Sequence, residues 1–232
     1  MNVAIIPARG GSKRIPRKNI KEFCGKPMIV WSIEAAKRVG IFDKIIVSTD
    51  DAEIREIALS HGVEVPFERP QHLANDYAGT LEVICHALQW LAAEGVEASH
   101  ACCIYATAPF VQDQSLREAY ELLKQCDKTE FVLPVTEFDY PIFRGLKLDR
   151  ENNLSMLWPE HEKTRSQDLE SAYHDAGQFY WGTAKAWLEN ENIYSSETRG
   201  VTLPTHLVQD IDTPEDWKSA ELKFRALLDE TI

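Results

Sequence analysis

The chain's 232 residues, 44% hydrophobic and 27% charged, suit a water-soluble globular protein with a substantial core. A formal net charge of −12 argues against a general nucleic-acid surface, which needs basic patches against phosphate. With no apolar run of bilayer length, no signal-peptide pattern in MNVAIIPARGG and no CxxC pair among five cysteines, the expectation is a reduced, cytoplasmic protein with no membrane or nucleic-acid partner.

Val3 to Ile6 is a continuous apolar run, the pattern of a strand buried on both faces. It breaks at Pro7 into a loop carrying Gly10, Gly11 and five cations: Arg9, Lys13, Arg14, Arg17 and Lys18. A helix opens at Pro27 and Met28, sets Ile29, Ile33 and Ala36 on one face, and stops at Gly40. Lys44 to Ser48 reads as a strand, with Thr49-Asp50-Asp51 at its carboxyl end. Asp51 begins a helix that Gly62 terminates, and Glu64 to Pro66 is a short extended piece. Glu68 to Thr80 reads as loop, broken by Pro70, Asn75, Asp76 and Gly79. From Leu81 to Ala93, Val83, Ile84, Ala87, Leu88 and Leu91 fall at helical spacing. Ala101 to Ala106 is the next buried strand, holding Cys102 and Cys103 as free thiols. Asp113 is expected to cap a helix bearing Leu116, Ala119, Leu122 and Leu123, and Phe131 to Val135 is a further strand.

Strands alternating with helices of this size imply right-handed βαβ units, an α/β fold and a largely parallel sheet. The pattern fails from Thr136 to Tyr173, where periodicity is weak and polar and aromatic residues mix. A structureless insertion of that length is rare in a compact domain. Strands reaching out as an arm at about 137–173, into a second subunit, are therefore expected. The core resumes at Gln178 to Trp181, with a helix around Thr183 to Glu189 and an extended run near His206 to Val208. The last helix has Thr213 as N-cap, Pro214 at its first position, and Asp216 completing an approximate capping box.

A ligand in an open parallel sheet sits at the carboxyl ends of the strands. That is where the order of elements places the basic loop, Asp50, Pro109 and the segment at Asp210. The loop is neither a P-loop nor a dinucleotide fingerprint. It offers backbone donors at Gly10 to Ser12 and point charges at Arg9, Lys13 and Lys18, equipment for an anion. A nucleoside triphosphate carries about four negative charges, and leaving-group charge grows during transfer, so fixed cations suit it. A solvated basic turn is the alternative. Asp210 and Asp212 are one residue apart, so on an extended segment both side chains face the same way. They can hold Mg²⁺, which accepts phosphate oxygens, or Asp212 can serve only to start the following helix. The stretch YHDAGQFYW, Tyr173 to Trp181, has no nucleophile motif beside it. Sugar or base recognition fits it better than nucleophilic catalysis, with a core strand carrying a surface His as the alternative. Arg144 and Arg165 in the arm are candidates to reach an anionic substrate, with a merely exposed charged arm as the alternative.

The strings IIPARGGSKRIPRKN, IIVSTD, ERPQHLANDYAGT, YATAPF and VQDIDTPEDW occur in that order over almost the whole chain. Together they resemble the cytidylyltransferases that activate 3-deoxy-2-ulosonic sugar acids, the CMP-sialic acid and CMP-Kdo synthetases. The resemblance implies a Rossmann-like, nucleotide-diphospho-sugar-transferase type of α/β fold, a mostly parallel sheet flanked by helices. It implies a single domain over 1–232 and a homodimer whose dimerisation arm exchanges between subunits. CTP and a nonulosonic sugar acid would be substrates, the CMP-sugar and pyrophosphate products, and Mg²⁺ the cofactor. On matching positions, Arg9, Gly10, Gly11, Ser12, Lys13 and Lys18 would bind the triphosphate, and Asn19, Arg69 and Thr80 the cytidine. Asp210 and Asp212 would position the metal, while Ala106, Arg165, His174, Gln178 and Tyr180 would face the sugar acid. The implied mechanism is in-line attack of the anomeric hydroxyl on the α-phosphorus, without a covalent enzyme intermediate. Arg9, Lys13, Lys18 and Asp212 would carry it, with Asp212 as candidate base through the metal or a water.

Ala106 stands where the sialic acid branch has Gln, and Ala176-Gly177, after His174-Asp175, where that branch has Asn-Gly. TRSQDLE and YHDAGQFYW instead resemble the subgroup that acts on pseudaminic acid in bacterial surface and flagellar glycosylation. Pseudaminic acid is the expected sugar, with sialic or legionaminic acid as the alternative. A glycosyltransferase of related fold and a noncatalytic CTP-binding module are the rival classes. The triphosphate-suited loop speaks against the first, and the presence of both carboxylates against the second.

Overall fold

Four successive apolar side chains stay dry only if both faces of their strand are covered, and Val3 to Ile6 are fully buried. In the computed structural model, which describes residues 1–189 and 192–229, they lie in β1 (Asn2–Pro7), followed by the small hairpin β2 (Glu22–Phe23) and β3 (Lys26–Pro27). The chain continues through α1 (Met28–Val39), β4 (Lys44–Ser48), α2 (Ala52–Ser60), α3 (Thr80–Ala93), β5 (His100–Ile104), α4 (Asp113–Lys124) and β6 (Phe131–Glu137). A second hairpin, β7 (Leu146–Leu148) and β8 (Leu154–Met156), precedes β9 (Tyr173–Asp175), β10 (Phe179–Thr183), α5 (Ala184–Glu189), β11 (Thr198–Thr202) and α6 (Pro214–Asp229).

The central sheet runs β11-β6-β10-β5-β1-β4, with β9 added against β6. β1 is parallel to β4 and β5, with Ile5 opposite Ile46 on one side and Cys103 on the other. β11 is parallel to β6, whereas β10 runs antiparallel to both of its neighbours and β9 antiparallel to β6. The expected mostly parallel sheet flanked by helices is present. The period-2 alternation of β1 then sorts the helices: Ala4 and Ile6 join the apolar cluster of α1, α2 and α4. Val3 and Ile5 join that of α3 and α5. A third cluster packs Trp217, Ala220 and Phe224 of α6 on Phe23 and on Ile15 of the basic loop. That contact pins the loop, since Ile15 is buried amid charged neighbours.

Helix ends follow local chemistry. Asp51 caps α2, accepting from the amides of Glu53 and Ile54, and Gly40 closes α1 in the left-handed region at φ +66°. At α6 the Thr213 amide donates to the Asp216 carboxylate at 2.7 Å, and the Asp216 amide donates back to the Thr213 hydroxyl at 3.2 Å.

Three expectations need correction, and one strand is new. Asp113 is the first residue of α4 rather than its cap; Gln112 precedes the helix, and Asp113 receives the Arg38 guanidinium at 2.9 and 3.0 Å. The run near His206 is not extended but a 3₁₀ turn over Thr205–Leu207, because Pro204 starts a turn there. β5 ends at Ile104, so Ala106 lies in the following loop. β11, whose TRGVT text lacks a clear apolar alternation, was not expected as a strand.

The segment between β6 and β9 leaves the sheet and returns beside its own start, where the Phe138 amide donates to the Ala172 carbonyl at 3.1 Å. It contains the expected strands. In the β7–β8 hairpin Leu146 faces Met156 and Leu148 faces Leu154, so one face is wholly apolar. Leu146, Leu148 and Leu154 are 56%, 61% and 65% exposed on that face.

Candidate active site

The basic loop leaves the carboxyl end of β1 and is held from below. Arg17, at φ +56°, reaches Asp51 through both guanidinium nitrogens and Glu53 at 2.5 Å. The Asp51 carboxyl is accordingly held below its usual range, chiefly by the Arg17 hydrogen bond. Gly10 passes so close to Asp51 that a Cβ there would overlap the carboxylate. Of the five loop cations, Arg17 is therefore structural. Arg9, Lys13, Arg14 and Lys18 line a cavity of about 540 Å³ together with Ser12, Asn19, Arg69 and Thr80.

Two of the three backbone donors expected at Gly10 to Ser12 are engaged within the chain. The Gly10 amide donates to Asp50 at 3.2 Å and the Ser12 amide to the Gly10 carbonyl at 3.1 Å, and neither Gly10 nor Gly11 lines the cavity. Side chains around the cavity are likewise held by the chain. Asn19 donates to the Arg9 carbonyl at 2.9 Å, and Thr80 shares a hydrogen bond of 2.8 Å with the Tyr105 hydroxyl. Arg69 is buried and spans the Ser48 hydroxyl and carbonyl. Burial pulls its guanidinium down to about 10, so it remains a cation at neutral pH.

A second cavity of about 430 Å³ adjoins the first and shares Lys18, Tyr105, Thr107 and Asp212 with it. His174, Asp175, Tyr180 and Asp210 line its remainder. Asp212 is bonded to Arg14 at 2.9 Å and Lys18 at 3.4 Å, and Lys18 also donates to the Ile211 carbonyl at 2.7 Å. The Asp210 carboxyl is pushed up, first by burial and then by the Asp212 charge. Asp175 accepts the hydroxyls of Tyr180 and Tyr194, the latter at 2.9 Å, and the Gly177 amide at 2.8 Å. Burial leads the causes that raise the Tyr105 and Tyr180 phenols, which stay neutral donors.

The structure thus brings together Arg9, Ser12, Lys13, Lys18, Asn19, Arg69 and Thr80 in one cavity and His174, Tyr180, Asp210 and Asp212 in the next. Ala106 walls the first cavity, not the second. Gln178 is buried behind the site, its amide donating to the Leu207 carbonyl at 2.6 Å while its Oε1 has no partner among the described residues. Arg165 lies outside both cavities and pairs with Asp168 at 2.6 Å, and Arg144 holds arm carbonyls of Glu162 and Thr164. Sequence reasoning missed Asp76, Tyr105, Thr107 and Asp175, although YATAPF and the acidic turn at Asn75-Asp76 contain three of them. Among the described residues, no group of three or more His, Cys, Asp or Glu clusters as a metal site. Asp210 and Asp212 stand as a pair.

A mostly parallel sheet with a cation-lined cavity at its strand ends, joined to one bearing carboxylates and phenols, is the layout of a nucleotidyl-transferring α/β enzyme. The chain belongs to the cytidylyltransferase family, whose sequence signature matches residues 3–227. It is 47% identical to the pseudaminic acid cytidylyltransferase of Campylobacter jejuni over 97% of this chain and 96% of that one. It is 33% identical to the CMP-N,N'-diacetyllegionaminic acid synthase of Legionella pneumophila, over 97% and 99%. Its fold matches that of a CMP:2-keto-3-deoxy-manno-octonic acid synthetase solved with CTP, at a TM-score of 0.69 and 16% identity over 100% and 99% of the two chains.

Proposed function

We propose that this chain transfers the cytidylyl group of CTP to the anomeric hydroxyl of pseudaminic acid, releasing pyrophosphate. The observation that carries the proposal is the junction of two cavities, one basic and one sugar-sized, at Lys18 and Asp212. The high identity to the Campylobacter enzyme supports the choice of sugar. Arg9, Ser12, Lys13 and Lys18 hold the triphosphate, while Asn19, Arg69 and Thr80 hold the cytidine. His174, Tyr180 and Asp175 receive the sugar. The anomeric oxygen attacks the α-phosphorus from the second cavity, and the bond to the oxygen bridging α and β phosphates breaks, its electron pair leaving on pyrophosphate. Lys18, at the junction, opposes the charge that builds there. The hydroxyl proton passes to Asp212, or to a water bonded to it.

The raised Asp210 carboxyl beside Asp212 suits a divalent ion, and an all-oxygen pair suits Mg²⁺. Asp210 and Asp212 would hold it, and it would supply charge neutralisation at phosphate oxygens. The second cavity bears three carboxylates but Lys18 as its one fixed cation among the described residues, so a substrate carboxylate needs another. Arg165, displaced on an arm with an exposed apolar face, fits that need from a second copy. The functional unit is then a homodimer of single-domain chains exchanging the arm at about 137–173. The free state of all five cysteines and the absence, among the described residues, of a helix long and apolar enough to cross a membrane accord with a cytoplasmic setting.

Pyrophosphate release with CTP and Mg²⁺ across pseudaminic, legionaminic, N-acetylneuraminic and Kdo acids tests the reading. Release is expected with pseudaminic acid and to fall by about a hundredfold or more in Asp212→Asn. Release only with another acid discards the sugar, near-normal turnover of the variant discards Asp212 as base, and silence with CTP still bound favours the noncatalytic module.

A further inference from the structure

The Glu68 to Thr80 segment carries a carboxylate that the proposed chemistry does not use. Its turn is built by Asn75, whose Oδ1 accepts the amides of Tyr77 at 2.7 Å and Ala78 at 3.0 Å and whose Nδ2 donates to the His72 carbonyl at 2.7 Å. This Asx turn presents Asp76 at the rim of the first cavity. Asp76 Oδ1 accepts from Arg9 at 2.6 Å and Oδ2 from Lys13 at 2.5 Å, one oxygen to each cation. The two hydrogen bonds, Lys13's first, hold the Asp76 carboxyl below its ordinary range. Lys13 is otherwise a solvent-exposed side chain, and Asp76 is its ion-pair partner among the described residues.

Two cations that grip both oxygens of one carboxylate are spaced to grip two oxygens of one phosphate. A phosphate that takes the same N–H groups meets the Asp76 charge across them, so carboxylate and phosphate compete for the pair. We infer that Asp76 is a competing carboxylate, occupying the phosphate position on Arg9 and Lys13 between turnovers and retaking it to expel pyrophosphate. CTP displaces it because the nucleotide adds base and ribose contacts and a third phosphate. Pyrophosphate, stripped of those contacts, meets an intramolecular competitor at high effective concentration. Asp76 thereby opposes both anions by the same competition, which matters most for pyrophosphate, the one with fewer other contacts. It acts through Arg9 and Lys13 and is a positioning residue for release, not for bond making.

The inference rests on the reading that Arg9 and Lys13 bind the triphosphate. Its test is the affinity of pyrophosphate and of CTP, by titration calorimetry and product inhibition, in the full chain and in Asp76→Asn, Asp76→Glu, Arg9→Ala and Lys13→Ala. Asp76→Asn should bind pyrophosphate about three- to tenfold more tightly, lower the KM for CTP and lower kcat as release slows. Asp76→Glu should restore part of each. A carboxylate that merely ordered the loop would give weaker binding of both anions in Asp76→Asn, and that result overturns the inference while leaving the loop's role intact. If Arg9→Ala and Lys13→Ala move neither affinity, the reading of the loop itself fails, and the competition with it.

Discussion

A methyl group at position 10 has no room unless Asp51 moves. The Cβ of an alanine would overlap Asp51 Oδ2, lie 3.1 Å from its Cγ and 3.2 Å from an Arg17 guanidinium nitrogen. Asp51 would have to rotate away, and it is committed twice. As N-cap it accepts from the Glu53 and Ile54 amides at 3.0 Å each, a role worth about 1 kcal/mol. As the partner of Arg17 it holds the loop, but the Arg17 side chain is 39% exposed, so that pair adds only about 0.5–1 kcal/mol. Gly10→Ala should therefore cost about 2 kcal/mol. Asp51→Ala should cost a similar amount for the same lost contacts. The double variant should cost about 2 rather than about 4 kcal/mol, because the second change finds nothing left to break. Urea unfolding of the three proteins, read with unchanged m-values, measures this coupling. Additive costs would refute the account of Gly10 as a residue required by Asp51. Both single variants should also raise the KM for CTP, since the loop that carries Arg9 and Lys13 is anchored by this pair.

Two further expectations concern pH and assembly. Burial pulls the His86 and His100 imidazoles below the ordinary value, and His86 Nδ1 has no hydrogen-bond partner among the described residues. The unfolded chain then takes up these protons first as pH falls through about 6.5. Stability is full above that value and is lost as pH drops toward the depressed folded values. Thermal melts of His86→Gln and His100→Gln should show a shallower loss between pH 7 and 5, and an unchanged slope would remove the histidines as its cause. On the arm, Leu148→Glu with Leu154→Glu places charges on the exposed apolar face of the β7–β8 hairpin. Light scattering is expected to find a dimer for the parent and a monomer for this variant; a variant that stays dimeric would move the interface elsewhere.

Features written in neighbouring residues were legible from the sequence. The buried runs of β1 and β4, the αL glycine closing α1, the Asp51 cap and the Thr213–Asp216 exchange each depend on contacts within a few positions. Spacing along the chain settles such contacts before any tertiary packing. The motif order was legible too, and with it the family and the basic loop. What sequence could not show is which loop cations face a ligand. Arg17 and Lys13 read alike, yet Arg17 is taken by Asp51, 34 residues on, and Lys13 by Asp76, 63 residues on. The direction of β10 between β5 and β6, the retreat of Gln178 behind the site and the meeting of Lys18 with Asp212 across 194 residues are likewise decisions of packing. An amino acid's type sets what its side chain can bond. Which partner lies within reach is set by the strand order and by the apolar clusters that hold it.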